Sequence, residues 1–281
     1  MKRFAKIIVL ALFCLVSVTM SAQTEKIVRI LSIGNSFSAD AVEQHLYDIA
    51  TAGGQKVIIG NMYIGGCSLA KHLRNADGNK PAYKYRKIGL DGVMVETKKY
   101  TLEQALADEQ WDYVSFQQQS GQSGIYATWE ESLPQLLSYV KARVPQNTTM
   151  MIHQTWAYDQ TSTHKDFKNY NHDQQTMYDA IMATVRKISK SSGIKMVIPS
   201  GTAVQNARTT ILKDCITRDG YHMHKVNGRY TVACTWYEKI FKRNVIGNSY
   251  LPQGMSEEQR LAAQKSAHAA VKKPYKVTKI K

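Results

Sequence analysis

Ile27-Val28-Arg29-Ile30-Leu31-Ser32-Ile33-Gly34-Asn35-Ser36 decides the fold. A β-branched apolar run breaks at glycine. Helical periodicity follows over residues 41–52 and closes on Gly53-Gly54, so the segment reads as strand, tight turn, helix. Residues 57–64 make a second strand ending in Gly65-Gly66, with a short helix from Ser68. Residues 113–117 make a third strand, which runs into the polar stretch 118–123. Residues 150–154 and 195–199 supply a fourth and a fifth. Between them lie helical patterns at 101–108, 132–144, 173–191 and 201–212. An amphipathic helix follows at 227–241, and a last one begins at the Ser256/Gln259 capping box and reaches about residue 271. Strands alternating with helices at this spacing imply a parallel sheet covered on both faces by right-handed crossovers. Residues 84–88 and 93–97 flank Asp91-Gly92 and predict a β-hairpin inserted between the main elements.

Upstream, Lys2, Arg3 and Lys6 precede the apolar run 7–18 and the small-residue exit 19–22, the pattern of a cleaved export signal. A membrane anchor needs about 20 apolar residues. This run is shorter, and no later stretch matches its hydrophobicity. Cys14 lies too deep in the apolar run, behind the bulky Phe13, for a lipid-attachment site. The expected product is a periplasmic or secreted protein of one domain over residues 23–281, without stable membrane insertion.

The formal charge of +15 falls to +12 when Lys2, Arg3 and Lys6 leave. Outside the cytoplasm such a balance favours acidic polysaccharide or membrane surface over nucleic acid. The lysines are scattered, however, and the run 265–281 reads as a solvated tail. Cys67, Cys215 and Cys234 remain, an odd number that allows at most one disulfide and no disulfide-built scaffold. Cys234 falls in an apolar helical pattern and reads as core.

Ligand sites of parallel sheets lie beyond the carboxyl ends of the strands. Ser36 stands there, at the turn into the first helix, where its hydroxyl clears the sheet and its own N–H faces the same opening. The competing role is a helix cap. A serine needs a base to take its proton, and Asp219-Gly220-Tyr221-His222 supplies one. Three residues apart on a turn, the carboxylate of Asp219 can hold one imidazole nitrogen of His222 while the other faces the serine. Asp219, His222, His224 and Cys215 as metal ligands, or Asp219 and His222 merely stabilising their loop, are the alternatives. The ligand spacing matches no recognised metal site, so no metal and no cofactor is expected. For an oxyanion, the N–H of Ser36 is one donor and that of Gly66 a second, because glycine lets backbone approach a ligand closely. Gln117, Gln118 and Gln119 reach the same rim, as amide donors or as a plain polar turn. The long polar and aromatic stretch 155–172, with Trp156, Tyr158 and Tyr170, is the expected substrate wall.

Ile33-Gly34-Asn35-Ser36-Phe37-Ser38, Gly65-Gly66-Cys67-Ser68, Ile198-Pro199-Ser200-Gly201-Thr202-Ala203 and Asp219-Gly220-Tyr221-His222, leading into Gly228-Arg229-Tyr230, resemble the SGNH (GDSL-like) hydrolase superfamily, and within it a secreted bacterial branch classed as a domain of unknown function. The resemblance spans nearly the whole chain after the signal. It implies a flavodoxin-like three-layer α/β/α sandwich with about five parallel strands. It also implies cofactor-free ester chemistry on acetyl or methyl esters of carbohydrates or other small esters, with Ser36 as nucleophile, Gly66 as oxyanion donor, His222 as base and Asp219 as its orienting acid. Two departures stand out. Asn35 replaces the usual aspartate, and Gln117 to Ser120 stand where a Gly-x-Asn-Asp segment is expected, which leaves the amide donor open among the glutamines. A carbohydrate-binding protein that keeps the fold without turnover is the competing function.

Overall fold

The computed structural model describes residues 26–281; the export signal expected at 1–22 lies outside them. The chain enters at the middle of the sheet with β1 (Ile27–Gly34) and turns into two short helices, α1 (Ser36–Val42) and α2 (Leu46–Ala52). It continues through β2 (Lys56–Tyr63), α3 (Leu69–Asp77), β3 (Tyr83–Ile88), β4 (Met94–Tyr100), α4 (Leu102–Asp108) and β5 (Tyr113–Phe116). Next come α5 (Tyr126–Glu130), α6 (Leu133–Lys141), β6 (Thr149–His153), α7 (Gln174–Ser192) and β7 (Met196–Ile198). The final helices are α8 (Ser200–Arg208), α9 (Asn227–Phe241) and α10 (Glu257–Lys272).

The seven strands form one sheet in the order β4-β3-β2-β1-β5-β6-β7. β2, β1, β5, β6 and β7 run parallel, with Ile27 beside Lys56 and Gly34 beside Tyr63 in the central register. The chain builds outward from β1 to one side and then returns to lay β5 on the other. The carboxyl end of β1 is therefore the topological switch point, where a crevice opens in folds of this kind. Helices α1, α2, α8, α9 and α10 pack together on one face, and α3 to α7 cover the other. This is the expected three-layer α/β/α sandwich.

Local chemistry explains the boundaries. Ser68, Thr101, Asp173 and Ser256 cap α3, α4, α7 and α10 through their side chains, and Thr101 and Ser256 complete capping boxes. The expected hairpin forms around Asp91-Gly92, between β2 and α4. β3 pairs antiparallel with β2 and extends the sheet edge. The single helix expected over 41–52 is two, because the chain breaks at buried His45. Its Nε2–H donates to the Lys225 carbonyl (2.9 Å), and its Nδ1 accepts from the Tyr250 hydroxyl (3.1 Å). The tail after α10 is likewise docked rather than merely solvated. The Pro274 carbonyl accepts from Gln154 Nε2 (2.9 Å) and Thr202 Oγ1 (2.7 Å), and Thr278 N donates to Asn206 (2.7 Å). Cys67, Cys215 and Cys234 are free thiols, and Cys234 lies in the core.

Candidate active site

β1 delivers Gly34 and Asn35 into a turn too tight for a side chain at position 34: a Cβ there would sit 2.6 Å from Ser38 Oγ. Asn35 is extended and caps α1, its Oδ1 accepting from Phe37 N at 3.0 Å. The capping duty weighed for Ser36 thus falls to its neighbour, and the Ser36 hydroxyl is left for other work.

Across the opening, the turn after the 3-10 segment Lys213–Ile216 carries Asp219 and His222. Gly220 occupies the left-handed region at φ +85°, which brings the two side chains together. Asp219 Oδ1 accepts from the backbone N–H of Tyr221 (3.2 Å) and His222 (2.7 Å), and Asp219 Oδ2 lies 2.7 Å from His222 Nδ1. Burial works to raise the Asp219 pKa, but the His222 contacts outweigh it and hold the carboxyl below its ordinary range. An ionised carboxylate only accepts, so Nδ1 carries the imidazole proton. His222 Nε2 then accepts from Ser36 Oγ at 2.9 Å. The structure therefore brings Ser36, His222 and Asp219, residues far apart in the chain, into one continuous hydrogen-bonded line.

Gly66, on the neighbouring loop after β2, is exposed and left-handed at φ +60°. Among the described residues, neither its N–H nor that of Ser36 has a hydrogen-bond partner. Gln118 does not offer its amide to the opening. Both of its N–H bonds go to Thr128 (2.9 Å to O, 3.1 Å to Oγ1), and its Oε1 accepts from Leu69 N and Gln119 N, both at 2.9 Å. Gln119 commits one amide hydrogen to Asp166 (3.0 Å), while its buried Oε1 has no partner among the described residues. Of Gln118 and Gln119, it is the one with an amide hydrogen to spare.

The segment 155–172 folds inward instead of forming an aromatic wall. Trp156 is 0% exposed, stacks on Phe37 with centroids 4.2 Å apart, and donates its indole N–H to the Tyr221 carbonyl at 2.7 Å. It thereby ties the helix bearing Ser36 to the turn bearing His222. Tyr158 is also 0% exposed and bonds Ser120 Oγ at 2.7 Å, and Tyr170 is bound to Gly121 and Gly124. Neither Trp156 nor Tyr158 offers a ring face to a ligand, because the segment satisfies its hydrophobic content in its own packing. The rings beside the triad are Tyr221, 4.2 Å from His222, and His164, 4.7 Å from Tyr221, both partly exposed. Burial lowers the His164 pKa. His224, weighed as a metal ligand, turns its Nδ1 to the N–H groups of Val226 and Asn227 at the start of α9.

Sequence reasoning missed Asp40. One helical turn after Ser36, it is buried and accepts from Met223 N (2.8 Å), Arg229 Nη2 (2.7 Å) and Arg218 Nη1 (3.2 Å). It clamps the backbone beside His222 to the helix of Ser36. The i,i+4 spacing from Ser36 was the available signal.

The mixed sheet, with five parallel strands between two helical layers, matches an SGNH-like α/β/α sandwich. The chain belongs to the family described as a domain of unknown function (DUF4886), whose family model matches residues 29–270. It is 50% identical to a DUF4886 family protein of known structure from Bacteroides uniformis, with a TM-score of 0.90 over 91% of this chain and 98% of that one. A protein from Slackia heliotrinireducens proposed as an SGNH hydrolase aligns at 21% identity and a TM-score of 0.52, covering 76% of this chain and all of its own. A mutant of an acetyl-xylooligosaccharide esterase from Geobacillus stearothermophilus aligns at 12% identity and a TM-score of 0.50, over 75% of this chain and 93% of that one. These two likenesses define the fold. Comparison with curated proteins returns no match.

Proposed function

We propose that the protein is a serine ester hydrolase that removes acetyl or methyl ester groups from a carbohydrate outside the cytoplasm. The Ser36–His222–Asp219 line carries this reading: Oγ to Nε2 at 2.9 Å and Nδ1 to carboxylate at 2.7 Å, within the reach needed for proton transfer. Ser36 Oγ attacks the ester carbonyl as His222 takes its proton, and Asp219 steadies the resulting imidazolium. The N–H groups of Ser36 and Gly66 stabilise the tetrahedral oxyanion. His222 returns the proton to the leaving alcohol. Water, activated by the same histidine, then splits the acyl-enzyme.

The carbohydrate assignment draws on the acetyl-xylooligosaccharide esterase that shares the fold. Export rests on the residue pattern of positions 1–22, and none of the described helices is long and apolar enough to cross a membrane. The test is a fluorophosphonate label read by peptide mapping, paired with turnover of acetylated xylooligosaccharides and of methyl-esterified glycans. Stoichiometric labelling at Ser36 is expected. Ser36→Ala and His222→Ala are each expected to lose about 10⁶-fold in kcat, and Asp219→Ala about 10⁴-fold. Wild type and Ser36→Ala equally slow across a wide ester panel would overturn the reading, and glycan binding without labelling would point to a binding protein.

A further inference from the structure

A second serine–histidine pair lies inside the protein: Ser200 Oγ is 3.0 Å from His153 Nε2, and both residues are 0% exposed. No ester can reach it. It continues, however, into other buried polar side chains. His153 Nδ1 lies 2.9 Å from Gln117 Oε1, Gln117 Nε2 lies 2.7 Å from Asn35 Oδ1, and Asn35 Nδ2 lies 2.9 Å from the Cys67 carbonyl. Ser200 follows β7, His153 ends β6, Gln117 follows β5, Asn35 follows β1, and Cys67 lies in the loop after β2. The bonds therefore run along the carboxyl edge of the five parallel strands in their spatial order.

The backbone at one end dictates the direction of every bond. The Cys67 carbonyl can only accept and Phe37 N can only donate, so Asn35 must present Nδ2 to the first and Oδ1 to the second. Gln117 must then donate from Nε2 to Asn35 and accept at Oε1. His153 must therefore carry its proton on Nδ1, which leaves Nε2 to accept from the Ser200 hydroxyl. The scheme requires a neutral imidazole. His153 meets Trp156 and Trp236 edge to face, no charged side chain is bonded to it among the described residues, and burial pushes its pKa down to about 3.

We propose that Ser200, His153, Gln117 and Asn35 form a one-way hydrogen-bond relay whose task is positional: through Asn35 it holds the Ser36 turn and the Gly66-Cys67 loop together, so that both oxyanion donors face one point. The proposal rests on the ester hydrolase reading for its catalytic consequence. Asn35 is the junction, since one amide caps the turn after Ser36 and grips the residue after Gly66. An aspartate at 35 would set a second oxygen against the Cys67 carbonyl at 2.9 Å. Asparagine at 35 and a glutamine after β5 thus form a matched pair, joined by the 2.7 Å bond between them.

The near-isosteric change Asn35→Asp tests the relay, with Ser200→Ala as a second variant that cuts its far end should the first fail to fold. In the folded Asn35→Asp protein the amide resonances of Ser36 and Gly66 are expected to shift. The kcat for an acetyl ester should fall by about 10²-fold, the scale of one lost oxyanion donor, with KM changed by less than about threefold. Ser200→Ala should move the same two amides in the same direction, with a smaller loss in kcat. Imidazole nitrogen shifts of His153 should show the neutral Nδ1–H tautomer throughout roughly pH 5 to 8. An Nε2–H tautomer, a His153 that titrates in that range, or folded variants with wild-type kcat and unmoved amides would overturn the relay. A wild type inactive on every ester would instead sink the hydrolase reading, and the amide and tautomer measurements would still decide whether the relay exists.

Discussion

Asp40 shows how much of a site can rest on one buried carboxylate. It answers two guanidinium groups and the N–H of Met223, next to His222. Asp40→Ala takes the carboxylate from two guanidinium groups and the acceptor from a backbone N–H, while Arg218 keeps the Met223 carbonyl and Arg229 keeps Gln44. Because Arg218 and Arg229 keep some solvent contact, the expected loss is at the low end for a broken buried pair, about 3 kcal/mol in urea unfolding. Asp40→Asn keeps an acceptor for Met223 N, so it should cost less stability while lowering kcat by about tenfold through a looser base turn. Equal stability of Asp40→Ala and wild type would contradict the clamp. Gln118 and Trp156 teach the converse lesson. Gln118 was weighed as an oxyanion donor and Trp156 was expected in the substrate wall, and both are consumed by contacts that no residue-type argument reveals: Thr128 for the one, Phe37 and Tyr221 for the other.

At the scale of elements, the turn from Asp219 to His222 is the sharpest test. Gly220→Ala forces a side chain into the left-handed region and brings a Cβ within 3.1 Å of Ser162 Cα. The expected cost is about 1–2 kcal/mol from the backbone alone, seen as a lowered urea midpoint together with a fall in kcat. A Gly220→Ala protein with wild-type values of both would show that the turn is slack. Gly66→Ala meets the same backbone penalty at φ +60° but no steric contact within 4 Å, so its stability loss should be the smaller of the two. The start of α10 was legible because its Ser256/Gln259 capping box lies within four residues. The break between α1 and α2 was not, since it depends on His45 finding Lys225 and Tyr250, about 200 residues away in the chain.

For the molecule as a whole, acid should be destabilising in a defined direction. Burial holds His153 and His72 neutral, both pushed down to about 3 from an ordinary 6.5. Between those values the unfolded chain binds protons that the folded protein refuses. Stability is therefore complete above about pH 6.5 and falls as pH drops, by up to about 1.4 kcal/mol per pH unit for each histidine. The urea midpoint should decline from about pH 7 to about pH 5, and His153→Gln should flatten the decline. A flat profile for wild type would mean that these rings are solvated. Removing residues 274–281 should also destabilise, because Gln154 and Thr202 lose the Pro274 carbonyl. The expected cost is about 1–3 kcal/mol, and an unchanged melting temperature would show that the tail is idle.

The sequence alone determined the alternation of strand and helix, the parallel sheet covered on both faces, the capping box at Ser256, the hairpin turn, and the nomination of Ser36, Gly66, Asp219 and His222. Each of these is written in residue periodicity or in a short motif whose geometry is local. Only the tertiary structure decided the strand order, and with it everything that depends on which strand ends are neighbours. That includes the hairpin joining the sheet edge, the meeting of Ser36 with His222, the clamp at Asp40, and the line from Ser200 to Cys67. The physical reason is that a side chain's direction beyond the end of a strand is set by its hydrogen-bond partners, and those partners come from elements that the chain order does not place side by side.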